Sequence, residues 1–261
     1  MRTSEITNGL PEDSGFTRVD LMASLAAIVL LVCLVLPALG RVNGKTTIAQ
    51  CAANLQQYDL ALQIYGNENQ DNLPSNTAGS WAHDMSTGIA TFVTNTGVKP
   101  IALYCPGESG AITEQDIPIV FKNSWSMGYV SIGYASTLPA TAAFYADPPW
   151  YFETNLNTTL SAQRILFSGL GSGTYLPIKP ASRVLVADET VTPTGESTDY
   201  TVLLYFSWVG SANFGYYRSA HLNGTIPIGG NVGMLDGHVE WRNFKGMQPR
   251  AGSSGTPFFY W

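Results

Sequence analysis

Residues 15–40, GFTRVDLMASLAAIVLLVCLVLPALG, decide how the rest of the chain is read. Between Asp20 and Arg41 lie twenty residues with no ionisable group other than Cys33. As a helix they span roughly 30 Å, the thickness of a bilayer's hydrocarbon core. A secretory signal would offer a basic start, a short apolar core and a small-x-small cleavage site. Here Arg2 stands against Glu5, Glu12 and Asp13, and no convincing small-x-small site follows the run. A retained membrane helix fits better. Arg2 and Arg18 precede it and Arg41 and Lys45 follow, so the positive-inside rule does not orient it. Asp20 sits at its entry, where a carboxylate is costly unless it has a partner or a role. Left in the headgroup layer, it would be helped by the positive helix N-terminus.

Outward from this run, helical patterning resumes beyond Lys45. Ile48, Cys51, Leu55, Tyr58, Leu62 and Tyr65 recur at alternating spacings of three and four, with Leu60 and Ile64 on one flank. Pro37 should loosen the helix between its two halves. The polar tail Gly66–Asn72, with Pro74 after it, predicts the end. Residues 75–182 show weak periodicity and many Gly, Ser, Thr, Asn and aromatic residues, which predicts loops and short strands: Ile117–Lys122, Tyr129–Tyr134 and Leu166–Leu170. Trp81, Trp125 and Trp150 read as anchors of aromatic-packed loops. Further on, Arg183–Asp188 and Tyr200–Trp208 read as strands, and Asn231–Leu235 with His238–Trp241 as a hairpin around Asp236-Gly237. The expected class is therefore α+β: a long N-terminal helix, half membrane and half amphipathic, packed on an antiparallel β-sheet with long loops.

The net charge of −6 and the absence of a Lys/Arg cluster argue against a nucleic-acid partner. Three cysteines are too few for a disulfide scaffold. Cys33 lies in the apolar run. Cys51 and Cys105 form one disulfide if the domain is outside the cytoplasm, or stay as two thiols. His83, His221 and His238 are the only histidines and no Gly-x-Ser-x-Gly elbow exists, so an enzyme is not expected.

Gly15-Phe16-Thr17-Arg18-Val19-Asp20-Leu21 resembles the processing site of type IV prepilins and type II secretion pseudopilins. The resemblance implies that a prepilin peptidase cuts after Gly15 and methylates the new amine of Phe16. It also implies that Asp20, the fifth mature residue, pairs with the N-terminal amine of a neighbouring subunit. Pro37 falls where many pilins carry a proline. The family's acid is usually Glu and its leader usually basic, whereas here the acid is Asp and the leader acidic. Cys51-Ala-Ala-Asn54-Leu55-Gln56-Gln57, the Asn-rich stretch reaching Leu73-Pro74, and Tyr104-Cys105-Pro106 resemble a narrower set. These are the pseudopilin-like proteins of planctomycete-type bacteria with a C-terminal His, nine residues, Asp-Gly signature. In this chain fourteen residues, Leu222–Leu235, separate His221 from Asp236-Gly237.

On this resemblance the chain comprises a leader (1–15), a transmembrane assembly helix (16–40), its amphipathic continuation (41–73) and an extracytoplasmic α+β domain (74–261) of pilin-like fold. It is expected in the bacterial inner membrane, single-pass, with the C-terminal domain in the periplasm or at the cell surface. Its partners are prepilin peptidase, other pseudopilin subunits and the membrane. Major pseudopilins often carry a structural calcium, which makes Asp188, Asp236 and His221 metal candidates; the plainer reading is a turn residue at Asp236 and a hydrogen-bonded His221. Two functions are expected: a structural subunit of a type II secretion or type IV pilus-like filament, or a membrane-anchored binding module that uses the same export route without polymerising.

Overall fold

The computed structural model describes residues 18–77, 79, 81–108, 128–138, 159–161, 164–167, 174–177, 179–192, 197–201, 204–205, 216–217, 219–251 and 258–261. The side chains at 34–43, 164–167, 174–177, 204–205, 216–217, 250–251 and 258 lie outside that description. Gly15, Phe16, Trp125, Trp150 and the expected strand at 117–122 therefore fall outside it. The chain divides into two units, Met1–Asn43 and Gly44–Trp261. Helix α1, Arg18–Glu68, contributes residues to both.

In the first unit, α1 carries Asp20 in its opening turn. Val19, Leu21, Met22, Leu25 and Ile28–Val32 are exposed, at 49–73% of their surface. Their positions run all round the helix, so no polar face is set aside for water. Among the described residues, no helix is long and apolar enough to cross a membrane. Residues 34–40, the last seven of the uncharged run, have their side chains outside the described set.

In the second unit, the stripe expected from periodicity becomes the core. Cys51, Leu55, Tyr58 and Leu62 are fully buried, while Tyr65 meets Phe92 edge-to-face with ring centroids 5.0 Å apart. Leu60 departs from expectation: it is 59% exposed, because the buried face turns toward Ala61 and Asp59 instead. The helix ends at Glu68, where Gln70 and Asp71 take positive φ.

Among the described residues, fifteen short strands follow α1. In chain order they are β1 (Asp84–Ser86), β2 (Tyr129–Ser131), β3 (Tyr134–Ser136), β4 (Arg164–Phe167), β5 (Thr174–Pro177), β6 (Val184–Asp188), β7 (Val191–Thr192) and β8 (Leu204–Tyr205). Then come β9 (Tyr216–Tyr217), β10 (Leu222–Asn223), β11 (Ile226–Pro227), β12 (Gly229–Met234), β13 (Val239–Asn243), β14 (Pro249–Ala251) and β15 (Phe258–Tyr260). The main sheet is antiparallel in the order β13-β12-β6-β3, with Val232 opposite Ala187 and Ala135 opposite Ala187 on the other side. All five residues of β6 are buried, as a central strand covered on both faces requires. The second sheet is β14-β15-β7, and Phe259 on it is buried beside His83. The helical stretch from Ile48 to Gln63 lies over β12: Asn231 Nδ2 donates to the Ile48 carbonyl and Gln63 Nε2 to that of Leu235.

Three details differ from the sequence reading. The expected strand Tyr129–Tyr134 is two strands, β2 and β3, separated by Ile132-Gly133; β2 pairs with β1 and β3 with β6. Helix α2, Thr87–Asn95, lies where loops and strands were expected. Its threonines masked it: Thr91 and Thr94 donate back to the Thr87 and Ala90 carbonyls, while Ile89, Ala90 and Val93 are buried. The hairpin between β12 and β13 does not have two positive-φ residues. Only Gly237 does (φ 89°), and Met234 N–H bonds the His238 carbonyl across a three-residue connection. That is the three-residue loop with a left-handed glycine, the second commonest hairpin solution.

Candidate functional site

The second unit gathers its unusual chemistry where α1, β6, the segment after α2 and the start of β10 meet. Cys51 comes from the buried face of α1. Cys105 follows a short 3-10 helix, Pro100–Leu103, whose proline opens the turn. The two sulfurs are joined in a disulfide with Cα atoms 5.3 Å apart, and Cys33 is the free cysteine, exposed in the first unit. Asp188 closes β6. His221 stands just before β10 with φ 54°, a left-handed conformation rare for a residue with a side chain.

Each of these groups is held by neighbours. Asp188 Oδ2 accepts from the backbone N–H of Asn231 (2.7 Å) and from its side-chain Nδ2 (2.8 Å). The same oxygen lies 3.0 Å from His221 Nε2. That nitrogen is also 3.5 Å from Cys105 Sγ, which in turn accepts the Gly107 N–H at 3.3 Å. The His221 backbone is fixed at both ends, its N–H on the Gly107 carbonyl and its carbonyl under the Ile228 N–H. Its ring meets Trp241 edge-on at 5.4 Å. A Cβ at position 107 would stand 2.6 Å from the ring's Cε1, so only glycine lets the histidine reach the sulfur. All four of Cys51, Cys105, Asp188 and His221 are buried, and their ligand atoms lie within 4.8 Å of one another.

A second buried polar group lies nearby in the chain. Asp84 Oδ1 accepts from Ser131 Oγ (2.7 Å) and its Oδ2 from the Trp81 N–H (2.9 Å). His83 Nδ1 is 3.1 Å from Glu189 Oε1, with both side chains fully buried. Burial pushes His83 down to about 4, and burial together with the charge of Asp84 pushes Glu189 well above the ordinary carboxylate range. Both shifts favour the neutral form of each partner. Glu108, three residues after Cys105, is likewise raised by burial first and then by the charges of Glu189 and Asp188. On α1, burial raises Asp59 well above its usual range, and neither of its carboxyl oxygens has a hydrogen-bond partner.

Of the residues singled out from sequence, Cys51 with Cys105 and Asp188 with His221 are brought together. Asp236 is not among them. Its carboxylate is exposed in the β12–β13 turn, where it is bonded to the ring and the backbone N–H of His238. Asp20 is exposed in the first turn of α1, and Pro37 lies within the bounds of that helix. The contributions of Asn231, Gly107 and Trp241 were not read from sequence. The His83–Glu189 contact, spanning 106 residues, leaves no local signal.

Chemically the four-residue cluster offers two sulfurs, one imidazole nitrogen and one carboxylate. This set does not suit calcium, which takes six to eight oxygens. It is also not a nucleophile–base arrangement as it stands, because the sulfur is held in a disulfide. No family model matches the chain, and no curated protein or solved structure is similar to it.

Proposed function

We propose that the chain is a pseudopilin-like structural subunit, inserted in the bacterial inner membrane and assembled through its N-terminal helix into a type II secretion or type IV pilus-like filament. The observation that carries this reading is the all-round exposure of large apolar residues on α1, from Val19 to Val32. A helix apolar on every face needs lipid or other helices around it. In the bilayer the lipid tails cover that surface; in a filament the same surface packs against copies of itself. Asp20, in the first turn, then meets the amine of a neighbouring Phe16 once the leader is removed. The second unit, of pilin-like α+β build, is the part that faces outward.

Asp20→Ala tests the assembly role. Filament material sheared from cells should be lost, by tenfold or more, while the amount of protein in the membrane fraction stays the same. Unchanged polymer yield contradicts the reading.

A second reading, the membrane-anchored binding module, is favoured by one feature. A groove of about 700 Å3 is lined by Ile226, Ile228, Phe244 and Arg242, and the two isoleucines are 38% and 43% exposed. Under this reading the protein stays monomeric in membranes, and chemical crosslinking in cells yields no ladder of multimers.

A further inference from the structure

We propose that Cys51, Cys105, Asp188 and His221 form a redox-gated site for a zinc-type divalent cation: closed when the two sulfurs are bonded to each other, and metal-binding when they are reduced. Two thiolates, one imidazole and one carboxylate are a tetrahedral zinc donor set. Zinc bonds of about 2.0–2.3 Å put tetrahedral ligands about 3.3–3.8 Å apart. The observed separations of His221 Nε2 from Cys105 Sγ, 3.5 Å, and from Asp188 Oδ2, 3.0 Å, are already close to that spacing. The sulfurs must part by roughly 1.5 Å from a normal disulfide bond length, and all four ligand atoms already lie within 4.8 Å of one another.

Three further features fit a cation better than a plain disulfide. Asp188 Oδ1 is buried with no hydrogen-bond partner, an arrangement that costs free energy unless a positive centre sits beside it. The Gly107 N–H aimed at Cys105 Sγ stabilises a thiolate and gives a neutral disulfide sulfur little. His221 keeps a left-handed backbone, strained for a residue with a side chain, to place Nε2 next to sulfur and carboxylate. Asn231 and Trp241 then act as the outer contacts that fix Asp188 and the imidazole.

The chemistry balances with a dithiol reductant. It transfers two electrons and two protons to the Cys51–Cys105 bond, becoming a disulfide itself and leaving two thiols. The cation then displaces both thiol protons to solvent and takes as its remaining ligands the Asp188 carboxylate and the Nε2 of the His221 tautomer whose single proton has moved from Nε2 to Nδ1. A groove of about 440 Å3 has Cys105, Tyr104, Asn54 and Lys99 in its wall. Under the proposal the reductant and the ion approach from this side, and because Cys51 and Cys105 are fully buried they reach the sulfurs only as that wall opens.

The test uses the full-length chain, purified, either oxidised or reduced with a phosphine, and titrated with Co2+ as a spectroscopic substitute for Zn2+. The expected result is one Co2+ per reduced chain, showing tetrahedral d–d bands and a sulfur-to-cobalt charge-transfer band. Zinc should displace the cobalt, and the oxidised chain should give no such spectrum. X-ray absorption of the zinc form should give two sulfur and two nitrogen or oxygen ligands. His221→Gln and Asp188→Asn should each weaken binding by at least the ~10–100-fold that loss of an outer-shell partner costs. The proposal is overturned if the reduced wild-type chain shows no thiolate–cobalt band, or if the oxidised chain binds equally well. It is also overturned if the zinc shell contains no sulfur, or if well-folded variants of His221 and Asp188 bind as tightly as wild type.

Discussion

The two units invert each other. Residues 19–32 expose large apolar side chains, whereas the second unit buries a run of charged or ionisable ones: Asp59, His83, Glu108, Arg183, Asp188 and Glu189. The usual expectation is apolar inside and charged outside. The two departures are met differently. Under the proposed reading lipid or neighbouring helices cover the exposed helix. The buried groups of the second unit are accommodated within the chain, Asp188 by hydrogen bonds and Asp59, His83 and Glu189 by shifts toward their neutral forms. The contrast teaches that, if the proposed reading holds, the first unit is completed by a surrounding phase, while the second accommodates its ionisable groups within its own chain.

The strongest way to break the second half of this contrast is at the disulfide. Cys51 and Cys105 are 54 residues apart in sequence, and a loop of that length implies about 4 kcal/mol of stabilisation in the chain-entropy account. Cys105→Ser should lower the stability of the second unit by that order in urea denaturation of the oxidised protein, whereas Cys33→Ser should leave it unchanged. Free-thiol labelling of the denatured, unreduced wild type should find one reactive cysteine.

Acid should test the buried histidine next. Because burial lowers the His83 pKa from 6.5 to about 4, its neutral form stabilises the fold. The contribution is complete above pH 6.5 and is lost as pH falls through about 4, amounting to roughly 3 kcal/mol. His83→Gln should flatten that acid limb of the stability curve. Asp59 works in the opposite sense: its raised pKa means stability is present below 3.8 and is lost as pH rises through the shifted value. Asp59→Asn should therefore remove a decline toward neutral pH while leaving the acid limb in place.

A smaller effect is expected at Gly107, where a new methyl must push the His221 ring aside. Gly107→Ala should cost about 1–3 kcal/mol, as overpacking does, and should displace the His221 ring signals in an NMR spectrum. The smallest is at the exposed helix: Leu25, 54% exposed, replaced by Ala should change the stability of the second unit by less than about 0.5 kcal/mol. A large effect there would mean that the apolar segment is part of that unit's core, and the contrast would collapse.

How much of this was legible in the sequence follows the range of each interaction. The face Cys51, Leu55, Tyr58 and Leu62 was readable because a helix repeats its core positions every three to four residues. β6 and the β12–β13 hairpin were readable from β-branched content and a glycine turn. Asp59 was not, since a single acid between Tyr58 and Leu60 looks like part of the wet face until the sheet is placed above it. Helix α2 was hidden by threonines that disfavour helices yet satisfy themselves within one. The sequence brought Asp188, His221 and Asp236 together as a candidate set. The fold keeps the first two and leaves Asp236 at the tip of the turn, because its partner is the adjacent His238. Both sulfurs were visible as a pair to be weighed, but their closeness to His221 depends on four separated segments, and no spacing encodes that.

The central claim is that the first unit is an assembly helix released by cleavage after Gly15. Mass analysis of the N-terminal peptide from protein extracted out of membranes tests it most directly. The expected product begins at Phe16 and carries one methyl group on its amine. A membrane-bound chain that still begins with Met1–Gly15 would contradict the account.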